Sequence, residues 1–203
     1  MNLANKLTLL RVIIVPFFVL FMSVGAIPMN YLWALLLFAA ASITDLFDGK
    51  IARKYNMVTD FGKFLDPLAD KILVAAALVC FNELHWAPAW VTVIVLIREF
   101  AVSGVRLVAA SSDKKAVIPA NIWGKLKTAA TMVSICAILF LRILEQLCVI
   151  QEIIPLYSSY FVPIPQVPIM LISNILMYIT AALTLISGVK YLYDYREYIN
   201  PNK

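Results

Sequence analysis

The chain has 203 residues, of which 63% are hydrophobic and only 14% are charged, and its formal net charge is +5. A soluble domain is nearer half apolar and a quarter charged. The composition therefore excludes an ordinary soluble protein and predicts an all-α membrane protein with one domain over residues 1–203. The three cysteines, at positions 80, 136 and 148, show no paired spacing, so no disulfide framework is predicted. No nucleic-acid partner is expected.

Polar residues recur at every third position of the N-terminal segment: Asn2, Asn5, Thr8 and Arg11. Such a series stays on one slowly drifting face of a helix, and leucines occupy other positions. Two interpretations are open. The segment is an amphipathic helix lying at the membrane interface, or its polar face closes over a site on the cytoplasmic side. The apolar run that follows lacks a small-residue cleavage site, so a cleaved signal peptide is not predicted.

Six stretches are apolar and long enough to cross a bilayer, which takes about 20 residues in a helix. They span residues 7–26, 31–54, 61–82, 87–110, 122–145 and 167–192. If these helices alternate in direction, all Lys and Arg residues except Arg142 lie on the side of both termini or in helix ends that face it. The positive-inside rule then places both termini in the cytoplasm and predicts a multi-pass plasma-membrane bundle. The stretch 146–166, which contains Pro and Tyr residues, is predicted to be a loop on the opposite side.

Four carboxylates stand where the second and third predicted helices approach each other. Asp45 and Asp48 are three residues apart, and each such pair projects from one helix face. Asp66 and Asp70, four apart, form the second pair. The turn between the helices is short, which predicts antiparallel neighbours and brings both pairs to the same depth near the cytoplasmic interface. Carboxylates are costly to keep in so apolar a protein, and they are therefore treated as a functional site.

The mutual repulsion of four opposed carboxylates limits what they can do in a low dielectric. The carboxylates are protonated, paired with Arg or Lys, or bound to divalent cations. A set of ligands that are all oxygen atoms suits Mg²⁺, Mn²⁺ or Ca²⁺. Gly49 and Gly62 would allow a ligand to approach closely, and Arg53 would face an anion beside the metal. Metal-dependent phosphate chemistry is one interpretation. A proton or cation pathway and a structural ion-pair cluster are the others.

The spacing of these residues resembles a known signature, D-x2-D-G-x2-A-R-x8-G-x3-D-x3-D, which is that of the CDP-alcohol phosphatidyltransferases. The sequence matches every fixed position: Asp45, Asp48, Gly49, Ala52, Arg53, Gly62, Asp66 and Asp70. Shorter strings at 5–11, 98–100 and 124–128 resemble the branch of the family that makes phosphatidylglycerophosphate. The resemblance covers residues 1–130 well and the last third by topology.

The resemblance implies a reaction and a set of roles. A hydroxyl group of an acceptor alcohol would attack the β-phosphorus of CDP-diacylglycerol, and CMP would leave. Asp70 would be the general base, and one or two Mg²⁺ or Mn²⁺ ions would be held by Asp45, Asp48, Asp66 and Asp70. The CDP moiety would be contacted by Asn5, Thr8, Asp48, Gly49, Ala52, Arg53 and Gly62. The family also suggests a homodimer in contact with membrane lipids.

The acceptor is inferred from charge. Glycerol 3-phosphate is a dianion near neutral pH, and Arg and Lys side chains bind phosphate. The candidates are four basic residues at the cytoplasmic end of the fourth and fifth predicted helices: Arg98, Arg106, Lys125 and Lys127. Binding of anionic lipids explains other lysines, but it does not explain Arg98 within an apolar run. Glu99 is predicted to be an internal partner of a neighbouring basic residue.

The sequence therefore predicts transfer of a phosphatidyl group to glycerol 3-phosphate at a site facing the cytoplasm. One alternative is the same family with inositol phosphate, serine or a second lipid as acceptor. A cation transporter that uses the Asp cluster is an alternative from a different class, although the lack of an internal repeat weakens it. An aspartate-rich membrane prenyltransferase is a third.

Overall fold

The computed structural model describes residues 3–55, 60–111, 122–153 and 166–194, and within them the side chains of 8–44, 69, 71–105, 122–148 and 168–194. These residues form six α-helices: α1 Leu3–Ser23, α2 Asn30–Tyr55, α3 Asp60–Glu83, α4 Ala89–Ser111, α5 Ile122–Ile153 and α6 Gln166–Asp194. The described ranges contain no β-strand, so the all-α prediction is confirmed.

The fifth helix is longer than predicted. It continues to Ile153, so the prediction that a loop begins at residue 146 is wrong for residues 146–153. Gln146 is accommodated within the helix because its side chain contacts a neighbouring helix, where Nε2 donates to Asn30 Oδ1 at 2.5 Å. The rest of the predicted loop, residues 154–165, lies outside the described residues.

The N-terminal polar segment is not a separate interfacial helix. From Leu3 onward it is the first part of α1, which runs without interruption through Pro16. The two polar side chains that the structure describes in this segment point inward: Thr8 is 1% exposed and Arg11 is 3% exposed, whereas the intervening Leu9 and Leu10 are exposed. This orientation favours the second interpretation, in which the polar face of the segment is directed into the protein.

The core lies where α1 packs against both α2 and α3, and α5 packs against α2 and α6. Phe18 of α1 and Phe38 of α2 are fully buried, with ring centroids 6.0 Å apart. Small buried side chains on α2 and α3, Ala34, Ala41 and Ala77, let the helix backbones approach closely. The helix α4 packs mainly on α6 and more lightly on α3.

The outer surface of the bundle is apolar. Large hydrophobic side chains are exposed on every helix, among them Phe17, Leu36, Val79, Ile97, Val133 and Leu171. Within the described ranges, two helical stretches are long and apolar enough to cross a membrane, Ile122–Cys148 and Pro168–Asp194. An apolar exterior around a packed core is typical of a membrane protein.

A polar cluster joins the helices at the end of the bundle where α1 finishes and α2 begins. Asn30 Nδ2 donates to the carbonyl of Phe21 at 3.0 Å. The buried Arg142 of α5 donates to Glu145 Oε2 at 2.7 Å, and its guanidinium lies 4.5 Å from the centre of the Trp86 ring. An open cavity of about 580 Å³ borders this cluster. The cluster therefore ties α5 to the first three helices at this end.

We expect Arg142→Ala to lower the thermal unfolding temperature clearly, because the change removes one partner of a buried ion pair and a contact with an aromatic face. Breaking such a pair costs about 3 kcal/mol, and the cation–π contact adds about 1 kcal/mol. Arg142→Lys is the matched control, since it keeps the charge but loses the planar donor group. Thermal unfolding of the purified protein in detergent measures the effect. An Arg142→Ala variant that unfolds like the wild type would contradict this role.

Candidate active site

The two segments that carry the carboxylates lie at the same depth of the bundle. The rings of Tyr31 and Phe81 both contact Trp86, with centroids 4.9 and 5.5 Å away, so the start of α2 and the end of α3 are level. At a rise of 1.5 Å per residue, Asp45 and Asp48 lie about 21–26 Å along α2 from Tyr31. By the same measure, Asp70 and Asp66 lie about 17–23 Å along α3 from Phe81. The antiparallel arrangement of α2 and α3 agrees with the prediction, and both helices pack against α1. The convergence of the two carboxylate pairs stays a prediction.

The carboxylate pairs lie within unbroken helix. The helix α2 extends past Asp45 and Asp48 to Tyr55, and α3 begins at Asp60, before Asp66. Spacings of three and four residues therefore place each pair on one helix face. The same two segments carry the other motif residues, with Gly49, Ala52 and Arg53 on α2 and Gly62 on α3.

The side chains of the motif residues lie outside the described set, as does that of Asn5. Among the side chains that are described, no group of three potential metal ligands occurs. The chemistry of the four carboxylates fits a hard divalent cation, because such ions take oxygen ligands. The assigned metal, catalytic and CDP-binding roles stay predictions.

Two polar residues of α1 reach the same depth. Phe21 is level with Asn30 through their hydrogen bond, and Thr8 lies 13 residues earlier, or about 20 Å along the helix. Thr8 and Arg11 are both buried, and α1 packs against the two helices that carry the carboxylates. Arg11 was not among the predicted site residues. The signal that could have identified it was its place in the series of polar residues at every third position.

A buried charged cluster joins α4 to α5. Lys127 Nζ donates to Glu99 Oε1, and Arg98 Nη1 donates to the same oxygen at 3.3 Å. The side chains of Lys127, Arg98 and Glu99 are 4%, 12% and 18% exposed. The prediction that Glu99 is an internal partner of basic residues is confirmed. Two predicted acceptor-binding residues, Arg98 and Lys127, are brought together here.

The other two predicted acceptor-binding residues differ in their surroundings. Lys125 is exposed, since it lies two residues before the buried Lys127 and so points to another side of α5. Arg106 lies on α4 eight residues after Arg98, and its side chain is outside the described set. Among the described side chains, Arg98 and Lys127 thus share contacts with Glu99, and Lys125 is not part of this cluster.

The sixth helix also contributes to this cluster, a contact that the sequence did not predict. Arg98 Nη2 donates to Ser187 Oγ at 2.6 Å. The neighbouring residue, Gly188, leaves space for the arginine, because a Cβ atom there would lie 3.2 Å from Arg98 Cγ. The signal in the sequence was the pair Ser187 and Gly188, two small residues inside an otherwise apolar helix.

A small cavity connects the charged cluster to the carboxylate-bearing part of α3. Its lining combines Lys71 of α3 with Glu99 of α4 and Lys127 of α5. Lys71 directly follows Asp70 in the chain. The cavity therefore places the basic cluster beside the segment that carries the second carboxylate pair. A site formed at this junction would hold a polyanion between carboxylate-bound cations and fixed positive charges.

Comparison with known proteins identifies the family of the chain. A sequence profile of the CDP-alcohol phosphatidyltransferases matches residues 1–187. The CDP-diacylglycerol–glycerol-3-phosphate 3-phosphatidyltransferase of Bacillus subtilis (strain 168) is 46% identical over 149 residues, which cover 68% of this chain and 76% of the relative. The enzyme of the same name from Escherichia coli (strain K12) is 42% identical over 144 residues, with coverage of 68% and 77%. The chain therefore belongs to the CDP-alcohol phosphatidyltransferase family.

Proposed function

We propose that the protein transfers the phosphatidyl group of CDP-diacylglycerol to glycerol 3-phosphate, giving phosphatidylglycerophosphate and CMP. The observation that carries this proposal is the cavity lined by Lys71, Glu99 and Lys127, because it joins a basic cluster to the signature segment of α3. The relatives from B. subtilis and E. coli bear the name of this reaction, which supports glycerol 3-phosphate as the acceptor.

The reaction is a substitution at phosphorus. The acceptor hydroxyl oxygen forms a bond to the β-phosphorus of CDP-diacylglycerol, while the bond from that phosphorus to the bridging oxygen breaks. CMP leaves with the electron pair. Asp70 takes the hydroxyl proton as general base, a role that contributes about 10²–10⁴-fold to a rate. The bundle holds the two substrates in a reactive orientation.

The donor half of the site is formed by α1, α2 and α3. Asp45, Asp48, Asp66 and Asp70 would hold one or two Mg²⁺ or Mn²⁺ ions, which when bound neutralise charge on the pyrophosphate. Around them, the CDP moiety would contact Asn5, Thr8, Asp48, Gly49, Ala52, Arg53 and Gly62. The buried position of Thr8 on the inward face of α1 supports its place in this set.

The acceptor half is formed by α4 and α5. Arg98, Arg106, Lys125 and Lys127 would bind the phosphate group of the acceptor. Arg98 and Lys127 are held in the interior by Glu99, which keeps positive charge near Asp70 without leaving it unpaired. A phosphate dianion would be favoured here over a neutral alcohol, since it brings the countercharge that these groups bind.

The proposed setting is a cell membrane. All six helices would cross it, with both termini and the active site on the cytoplasmic side, where soluble glycerol 3-phosphate is available. This topology follows from the placement of Lys and Arg residues, and the apolar exterior of the bundle agrees with it. By family resemblance the functional unit would be a homodimer.

The test is an acceptor panel. Purified protein in detergent micelles receives CDP-diacylglycerol with Mg²⁺ or Mn²⁺ and, in parallel, glycerol 3-phosphate, inositol phosphate, serine or a second lipid. We expect CMP release and a new phospholipid with glycerol 3-phosphate, and loss of both when EDTA is added. Good transfer to another alcohol with none to glycerol 3-phosphate would overturn the proposed acceptor.

A second assay addresses the transporter alternative. The protein is placed in liposomes, and cation flux and CMP release are measured on the same preparation. Cation flux without any CMP release would favour a transporter, whereas CMP release without flux supports the transferase.

A further inference from the structure

We propose that α6 is part of the acceptor site, where Ser187 and Gly188 act as positioning residues for Arg98. This inference rests on the proposed function, because it deepens the account of the same basic cluster. The sixth helix carries none of the motifs that pointed to the family, yet it supplies contacts to one of the candidate acceptor-binding side chains.

The first observation is the hydrogen bond between α4 and α6. Arg98 Nη2 donates to Ser187 Oγ at 2.6 Å, and Ser187 is buried. A second nitrogen of the Arg98 guanidinium group, Nη1, donates to Glu99 Oε1. The guanidinium group is planar, so two partners in different directions define the plane of the group as well as its position. Ser187 therefore sets the orientation of the guanidinium group.

The second observation is the space left by glycine. A Cβ atom at Gly188 would lie 3.2 Å from Arg98 Cγ, which is tighter than ordinary contact. At Gly124 of α5 the corresponding distance to Arg98 Nη2 is 3.7 Å, an ordinary van der Waals contact. The arginine side chain thus passes between α5 and α6, and only Gly188 is too close to accept a methyl group without displacing it.

The effect of α6 extends to Lys127 through Glu99. Arg98 and Lys127 share Glu99 Oε1, so a displaced guanidinium changes the position of the carboxylate that holds Lys127. Both basic side chains then lie out of place for the phosphate of the acceptor. Within the part of the chain that the structure describes, Ser187 and Gly188 act on Arg98 of α4, whereas the donor half is formed by α1 to α3. We therefore expect α6 variants to affect the two substrates unequally.

The experiment measures KM separately for each substrate in Ser187→Ala and Gly188→Ala. Loss of a hydrogen bond to a charged group is expected to raise KM for glycerol 3-phosphate about tenfold, while KM for CDP-diacylglycerol changes by less than about twofold. Ser187→Thr, which keeps the hydroxyl, should restore most of the lost affinity. The rise in melting temperature caused by glycerol 3-phosphate alone should also be smaller in Ser187→Ala.

Matched controls come from the same chain. Ser173 of α6 is buried, but its hydroxyl donates to the carbonyl of Ile169 in its own helix, so Ser173→Ala should leave both KM values unchanged. Gly104→Ala introduces a Cβ into open space, and Gly124→Ala introduces one at ordinary contact distance. In this series we expect only Gly188→Ala to raise KM for the acceptor.

Four results would overturn the inference or the proposed function on which it rests. If Ser187→Ala and Gly188→Ala behave like their controls, or if both KM values rise together with a loss of thermal stability, the positioning role is wrong. If the wild type uses another phosphorylated alcohol, the proposed function is wrong but the same variants must raise KM for that alcohol. If the wild type uses only an alcohol without phosphate, both proposals are wrong.

Discussion

Asp70→Asn should reduce phosphatidyl transfer by about 10²–10⁴-fold, the range that a general base contributes. The amide has the shape of the carboxylate but cannot take the hydroxyl proton, and it is a weaker ligand for a hard cation. Initial rates of CMP release at saturating levels of both substrates measure the loss. Binding of CDP and of metal should be retained in part, because three other carboxylates of the cluster are unchanged.

The matched control for Asp70→Asn lies on the same helix. Glu83 is an exposed carboxylate at the far end of α3, so Glu83→Gln makes the same chemical change outside the proposed site. It should retain the wild-type rate. An Asp70→Asn enzyme that works at nearly the normal rate would show that another group removes the proton.

Glu99→Gln should lower the free energy of unfolding by about 3 kcal/mol, the lower end of the range for breaking a buried ion pair. Glu99 Oε1 is shared by Arg98 and Lys127. The amide keeps an oxygen acceptor but removes the negative charge, so two neighbouring cations in the interior lose this countercharge. Thermal or denaturant unfolding in detergent measures the change, and KM for glycerol 3-phosphate is measured beside it.

A double variant separates this effect from a general disturbance of the bundle. In Glu99→Gln/Lys127→Met one of the two cations is removed as well, so the double variant should be more stable than the sum of the two single changes predicts. Lys125→Met is the control, because it removes an exposed lysine from the same helix. Simple additivity of the two single changes would contradict the ion-pair account.

The features predicted correctly from the sequence depend on local periodicity. The spacings of Asp45 with Asp48 and of Asp66 with Asp70 require only that each segment is helical, and both segments are. The common depth of the pairs requires only a short turn between two long helices. Apolar length alone located the six helices, although it ended α5 too early at Glu145 and Gln146, whose polar side chains make contacts within and between helices.

The features that were missed depend on tertiary structure. Lys125 and Lys127 look equivalent in the sequence, but the rotation of α5 buries one and exposes the other. That rotation is set by packing against α2 and α6, which no local pattern reports. The contact between Arg98 and Ser187 joins residues 89 positions apart, and a serine in an apolar helix usually bonds to its own backbone, as Ser173 does.

The first helix buries polar side chains and exposes leucines, and this arrangement has a consequence for membrane insertion. An arginine costs about 3 kcal/mol at the centre of an isolated transmembrane helix and less towards its ends. Arg11 lies in the first half of α1 and is buried where α1 packs against α2 and α3. In the proposed topology α1 leaves the ribosome first, but its polar face is buried only after α2 and α3 have been inserted. Burial of the polar face of α1 and assembly of the donor half of the site are therefore the same event.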